Sequence, residues 1–332
     1  MRNKSMTDNR HNRCDTDRRE FLISSLFAAA QLAGFKGSAA RALTGSETKI
    51  VAEQSWGRIE EIGDGVWAIV STPWVERDFT TICNGGIVAG DQRVLIVESF
   101  GSPDGAGWVS SQAQELTGRR PTDVVLTHFH GDHANGVEGL ASDAFAPTIW
   151  RTEKTLELIE DADRDRDIEA RQTREQMLAE GNTIGVSDST TLDLGGRLVE
   201  IHPRAGHTPS DVTVELVEPA VTFCGDLVWN QFFPNYRDTL PTEFAKSLRD
   251  LRRDDSTLYV GGHGPISDLS AVDLLIDLVD DIGEFAVGAH AKGLDAAAAA
   301  AQYKLPEATA SWTLFNPSYF EVAIKAWYRE LG

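Results

Sequence analysis

Basic charge is what this chain has least of for its size. Against 31 lysines and arginines stand 51 aspartates and glutamates, a formal net charge of −20 at pH 7. A field of that sign repels phosphate backbones, and no basic cluster after residue 45 offsets it, so nucleic acid is excluded as a partner. Cysteine is scarce too, with only Cys14, Cys83 and Cys224 in 332 residues. No apolar run reaches the ~20 residues a spanning helix needs, which excludes a membrane-spanning protein. No Pro/Ser-rich linker divides the chain and no short period repeats, so neither a modular array nor a solenoid is indicated. Histidine is rare, at eight residues, and its placement therefore carries information.

The basic residues that do cluster lie at the start. "DRREFLISSLFAAAQLAGF" places Arg18 and Arg19 before Phe21, Leu22 and a short apolar stretch interrupted by Gln31. This resembles a twin-arginine export signal, with Asp17 where the pattern prefers serine or threonine. Small residues in "SAARA" offer cleavage near Ala40 or Ala42. The resemblance implies recognition by the twin-arginine machinery, removal of residues 1–42 and a periplasmic mature protein. Such a cut removes eight of the 31 basic and four of the 51 acidic residues, taking the net charge from −20 to −24. Cys14 leaves with the signal, and pairing of Cys83 with Cys224 stays open.

From residue 57 the pattern is strand-rich. "GRIEEIGDGVWAIV" predicts two strands around a Gly-Asp-Gly turn, and "TICNGGIVAGDQRVLIVES" a hairpin turning at Gly90-Asp91. A helix is expected through "GAGWVSSQAQELTG", ending at Gly118, and a short buried strand in "DVVLTHFH". Residues 152–181 lack proline and internal glycine and are heavily charged, which predicts a solvated helix or helix pair. Strands return in "TLDLGGRLVEIHP", "DVTVELV", "AVTFCGD" and "TLYVGGHG". Helices are expected in "TEFAKSLRDLRR", "LSAVDLLIDLVDDIGEFAVGAHA" and "FEVAIKAWYREL". Strands early and late with interspersed helices argue an α/β domain of two sheets covered by helices, at 43–290, with 291–332 as its C-terminal helical extension.

"VVLTHFHGDHANG" packs three histidines and an aspartate into six residues at a strand end. His128 and His130 leave the same face, Gly131 lets the chain turn, and Asp132 and His133 open the next element. Imidazole with carboxylate suits zinc or another first-row divalent metal, iron or manganese included, better than calcium or magnesium. Histidines elsewhere are set apart: His202 alternates along a strand and His290 sits on a helix far from every motif. Cys224, two residues before Asp226, is expected on the same strand face as a small core residue.

The His-x-His-x-Asp-His arrangement resembles the signature of the metallo-β-lactamase superfamily. His207 in "AGHTPSDVTVEL", Asp226 in "VTFCGDLVW" and His263 in "YVGGHGP" complete that family's order. The resemblance implies a four-layer αββα sandwich with two zinc ions. His128, His130 and His207 would hold one metal and Asp132, His133 and His263 the other, with Asp226 bridging both. It also implies a shared hydroxide attacking an electrophilic centre, with Asp132 orienting it. Seven donors exceed the four of a closed structural zinc site.

The spacing from His207 to Asp226 and the stretch "FPNYRDTLPTEFAKSLRDL" look like the β-lactamase branch, in which an asparagine, here Asn235, helps hold the substrate oxyanion. Two residues depart from it: Asp226 replaces a cysteine ligand, and Trp229 replaces a carboxylate-binding lysine. Trp74, Trp229, Phe232 and Phe233 are candidates for an apolar pocket or for the core, and Arg237 for an anion contact. The reading is an exported dinuclear hydrolase opening a small cyclic amide or ester. The alternatives are a single-iron persulfide dioxygenase and a non-enzymatic accessory protein of periplasmic quinoprotein metabolism. The oxygen-reducing diiron branch is excluded, since it needs glutamate at His130.

Overall fold

All six residues from Val66 to Ser71 are buried, more than a strand with one wet face allows. Val66, Ala68 and Val70 pack against a second sheet, whereas Trp67 and Ile69 pack beneath helices. That double burial is the signature of a layered sandwich. The computed structural model describes residues 48–71, 78–142, 145–164, 168–185 and 187–332, without the side chains of 168–173. The Arg18–Arg19 signal, its cleavage region and Trp74 lie outside them.

Strand β1 (Lys49–Gln54) precedes the two predicted around the Gly-Asp-Gly turn, β2 (Gly57–Gly63) and β3 (Val66–Ser71). The hairpin follows as β4 (Gly85–Ala89) and β5 (Val94–Val97), paired antiparallel. Helix α1 (Pro103–Thr117) begins with the Ser102 hydroxyl accepting from Gly105 N–H and ends at left-handed Gly118, as its sequence signals require. Then come β6 (Asp123–Val125), the one-turn α2 (Gly131–Ala134), β7 (Thr148–Thr152), α3 (Glu153–Asp163), α4 (Ile168–Ala179) and β8 (Asn182–Ile184). These strands form one sheet in the order β1 to β8, antiparallel up to β5 and parallel beyond it.

The second sheet takes β9 (Thr190–Asp193), β10 (Leu198–Pro203), β11 (Val212–Leu216), β12 (Val221–Trp229) and, after α5 (Pro241–Asp250), β13 (Leu258–His263). Its order is β13-β12-β11-β10-β9, with β12 and β13 parallel. Helices α6 (Leu269–Ala291), α7 (Ala296–Ala300) and α8 (Tyr319–Leu331) cover its outer face through Val279, Ile282, Ala299 and Ile324. Val199, Ile201, Val214 and Phe223 meet the first sheet from the other side. The result is the four-layer αββα arrangement expected from the sequence. Among the described residues, no helix is long and apolar enough to cross a membrane.

One detail departs from the sequence reading, and one question it left open is answered. The 152–181 region is a helix pair but not wholly solvated. Arg174 and Asp163 pair at 2.7 Å with side chains only 2% exposed, and Arg174 also donates to Asn135 Oδ1 at 3.0 Å. Burying that ion pair is tolerable because each charge compensates the other. Cys83 and Cys224 are free and buried in different clusters, one under the first sheet and one over the second, so they form no disulfide.

Candidate metal centre

The metal-type donors collect where both sheets end. The chain leaves β6 at Val125 and bends at His128 and Phe129 to His130, whose extended backbone precedes α2, and α2 then carries Asp132 and His133. His207 sits in the turn between β10 and β11. Thr208 closes that turn, its N–H and hydroxyl donating to Asp211 at 2.7 and 2.6 Å. Asp226 lies within β12 and His263 ends β13. A close backbone approach seats Asp226: a Cβ on Gly262 would stand 2.0 Å from Asp226 Oδ1.

The expectation that Cys224 and Asp226 share a strand face is wrong. Gly225 takes a left-handed φ of +52° and the β12–β13 register shifts there. This bulge breaks the two-residue alternation. The thiol therefore stays among the helix-side core while the carboxylate joins the histidines.

The donor atoms fall into two sets. His130 Nδ1 lies 3.2 Å from His128 Nε2 and 3.0 Å from His207 Nε2, and Asp226 Oδ2 is 3.2 Å from His207 Nε2 and 3.9 Å from His128 Nε2. In the other set, Asp226 Oδ1 is 3.0 Å from His133 Nε2 and 3.3 Å from His263 Nε2. Asp132 Oδ2 completes it, 3.3 Å from His263 Nε2 and 3.7 Å from His133 Nε2. A tetrahedral ion with bonds near 2.0–2.1 Å spaces its ligand atoms about 3.4 Å apart. Both sets match that spacing, and Asp226 gives one oxygen to each.

Hydrogen bonding does not account for this crowding. Three imidazole nitrogens facing one another cannot all be donor–acceptor pairs. His133 Nε2 and Asp226 Oδ1 are buried and make no hydrogen bond among the described residues. A divalent cation in each set satisfies all of these atoms, so the residues fit such ions.

The outer nitrogens of three of the rings are held in place. His128 Nδ1 is 3.0 Å from Thr127 Oγ1, His133 Nδ1 is 3.0 Å from Glu98 Oε1, and His130 Nε2 is 2.8 Å from Asp238 Oδ2. Glu98 also accepts from the Thr127 hydroxyl at 2.5 Å, so one buried carboxylate orients a ring of each set. Glu98 and Asp238 escape the sequence reading because single acids in "VESF" and "YRDT" fit no spacing rule. Glu98 has one structural mark, a positive φ of 79°, shared nearby with Ile82 at 58°. Non-glycine residues hold such a backbone only where surrounding contacts compel it, often at functional sites.

Protonation differs between the sets in the metal-free protein. Burial pushes His128 well below the ordinary imidazole range and His207 down to about 3, so both are neutral. Burial also opposes the charged forms of His133 and His263, but the acidic groups around them outweigh it. The Cys83 sulfur, then Asp226, Glu98 and Asp132, hold His133 well above its usual value, and Asp226 and Asp132 raise His263 to about 9. Burial likewise raises Asp226, yet His263, His133 and His207 bring it well below the carboxylate range.

His130, Asp132, Asp226 and His263 open onto a cleft of about 470 Å³ that Asn235, Trp229 and Arg237 also line. Asn235 Oδ1 accepts from Arg237 N–H at 3.1 Å. Trp229 is 3% exposed and packs on His263 with ring centroids 4.2 Å apart. Of the other aromatic candidates, Phe232 is buried and stacked on Phe315, and Phe233 is core. His202 stands apart, 4.0 Å from Glu215, and His290 packs on Tyr328 between helices.

A family model described as the metallo-beta-lactamase superfamily matches residues 79–263. Hydroxyacylglutathione hydrolase of Acidiphilium cryptum is 30% identical over 153 residues, 46% of this chain and 54% of that protein. A metallo-beta-lactamase type 2 of a Bacillus species is 22% identical over 227 residues, 67% of this chain and 81% of that protein. Among solved structures, a metallo-beta-lactamase from Pontibacter korlensis superposes with a TM-score of 0.53 at 18% identity, over 68% of this chain and 99% of that one. At that identity the superposition speaks for the fold alone.

Proposed function

Because the chain belongs to the metallo-beta-lactamase superfamily, we propose that it is a dinuclear metal-dependent hydrolase that opens a cyclic amide or ester of lactam or lactone type. The observation that carries this reading is Asp226, whose two oxygens face two separate three-donor sets. Imidazole and carboxylate donors at tetrahedral spacing favour zinc. Two such ions would supply a water of pKa near ~7 and positive charge for the acyl oxygen and leaving group.

The chain's own residues do the rest. Asp132 has the most exposed side chain of the seven donors, at 27%, and so reaches the cleft to orient the attacking water. Asn235, its carbonyl engaged by Arg237 N–H, keeps its NH₂ to donate to the acyl oxygen. Trp229, Phe315 and the buried rings behind them exclude bulk water from the His263 side, strengthening each polar contact there. A chromogenic panel of cephalosporin, lactone, aryl ester and phosphodiester on zinc-reconstituted protein tests the reading. Turnover of the lactam or lactone is expected. One iron per chain with oxygen consumption, or no hydrolysis across the panel, would overturn it.

Metal uptake should be proton-coupled. At pH 7 His133 and His263 are protonated in the metal-free protein, so a cation entering their set displaces both protons, whereas neutral His128 and His207 release none. Raised pKa values mean that affinity at this set climbs with pH until about 9, where His263 is deprotonated without help. Zinc titration calorimetry at pH 7 in buffers of different ionisation enthalpy is expected to give about two protons released per chain. Zero release would contradict the assignment.

The arginine pair at Arg18–Arg19 supports export by the twin-arginine route to the periplasm, where the substrate would be met. Replacing both arginines with lysine is expected to leave uncleaved protein in the cytoplasm, as fractionation would read. Normal export of that variant would remove the proposal.

A further inference from the structure

The family match ends at residue 263, yet the cleft does not. Thr313 bridges to Phe232, its N–H donating to Gln231 O at 3.0 Å while Phe233 N–H donates back to Thr313 O at 3.0 Å. Gln231 is held there with a φ of +66°, an unusual backbone for that residue type. This short pairing delivers Phe315 into the cleft. Its ring centroid stands 5.6 Å from His263, 5.8 Å from Trp229 and 4.5 Å from Phe232. Tyr319 and Val322, at the start of α8, extend the same wall. Further along α8, Glu330 accepts from the Thr242 hydroxyl at 2.5 Å, and Arg329 donates to the carbonyls of Arg237 and Thr239 at 3.4 Å. The C-terminal segment thus builds one side of the cleft and grips the loop that carries Asn235 and Asp238.

We propose that residues 312–322 form the specificity element of this enzyme, with Phe315 providing the face for an aryl or comparably bulky apolar substituent on the ring that is opened. This rests on the hydrolase reading above and names its substrate class. Half-buried Phe315 is backed by Phe232 and Trp229, so its position is fixed before any ligand arrives, which lowers the ordering cost of binding. An aromatic partner gains both apolar burial and ring–ring contact there. Because His263 lies against both Trp229 and Phe315, a substituent on that wall sits next to the Asp132–His133–His263 set.

The test compares α-phenyl-γ-butyrolactone with γ-butyrolactone on zinc-reconstituted protein carrying Phe315, Phe315→Leu or Phe315→Ala. The unaltered enzyme should favour the phenyl lactone by roughly tenfold or more in kcat/KM. Phe315→Ala should remove most of that preference through KM, and Phe315→Leu should remove part of it, with zinc content the same in all three. No preference in the unaltered enzyme, or a preference that survives Phe315→Leu and Phe315→Ala alike, overturns the proposal. If neither lactone is hydrolysed, the panel above decides the hydrolase reading, and calorimetric binding of 2-phenylbutyrate against butyrate decides this one. Tighter binding of the phenyl acid that weakens in Phe315→Leu supports the wall, and equal affinities overturn it.

Discussion

Replacing Asp226 with alanine is expected to lower turnover by at least about 10³-fold and to reduce bound metal to one weakly held ion or none. The loss is large because one side chain serves two sets: Oδ2 faces His207 at 3.2 Å and Oδ1 faces His133 at 3.0 Å and His263 at 3.3 Å. The fold should survive, since the three apolar clusters hold the layers together without it. A readout independent of activity exists in the metal-free protein. Asp226 is the leading cause that lifts His263 to about 9, so an NMR titration of the variant should find His263 well below that. Inductively coupled plasma analysis gives the metal content, and full activity with one metal per chain would contradict the bridging role. Asp226→Asn separates charge from shape, because it keeps the volume but loses the attraction for cations.

The second large effect belongs to Asn84, which touches no donor atom. Buried at 2% exposure, it accepts from Ser71 N–H at 3.0 Å and donates to Gly261 O at 2.9 Å and Gly264 O at 2.7 Å. Its own N–H donates to Gly262 O at 2.8 Å. One side chain therefore stitches the first sheet to the turn that presents His263. Alanine removes three hydrogen bonds and strands buried groups, at a cost of about 3–5 kcal/mol. Thermal unfolding should show that as a drop on the order of 10 °C for a domain of this size. Activity should fall further than stability alone explains, since a freed His263 loosens the second set, and the variant should show weaker zinc binding at that set. A variant with wild-type melting and metal affinity would show that the stitch is redundant.

The layers, and with the family resemblance the convergence of the seven candidate donors, could be read from the residues because both depend on local order. The continuous apolar run in "VWAIVS" and the spacing in "THFHGDH" are short-range patterns, and each later motif arrives with its own turn. What orients the donors could not be read this way. Glu98 acts through Thr127 and His133, Asp238 through His130, and Phe315 through a bridge to Phe232. Each pairing spans a chain separation that no pattern of neighbours encodes. Cys224 shows the opposite error: alternation was a sound local rule, and a single left-handed glycine cancelled it. The charged helix pair likewise reads as solvated until Arg174 and Asp163 meet across it.

The donors' division between the sheets also sets an order of assembly. His128, His130, Asp132 and His133 follow β6, whereas His207, Asp226 and His263 belong to the second sheet. A chain growing from its N-terminus completes the first group while the shared carboxylate has not yet been synthesised. On the dinuclear reading proposed above, a cation captured then would have nothing on the facing half to hold it, and high affinity would come only when the second sheet docks. Tight loading would in that sense be a checkpoint passed by finished molecules alone, written into the topology.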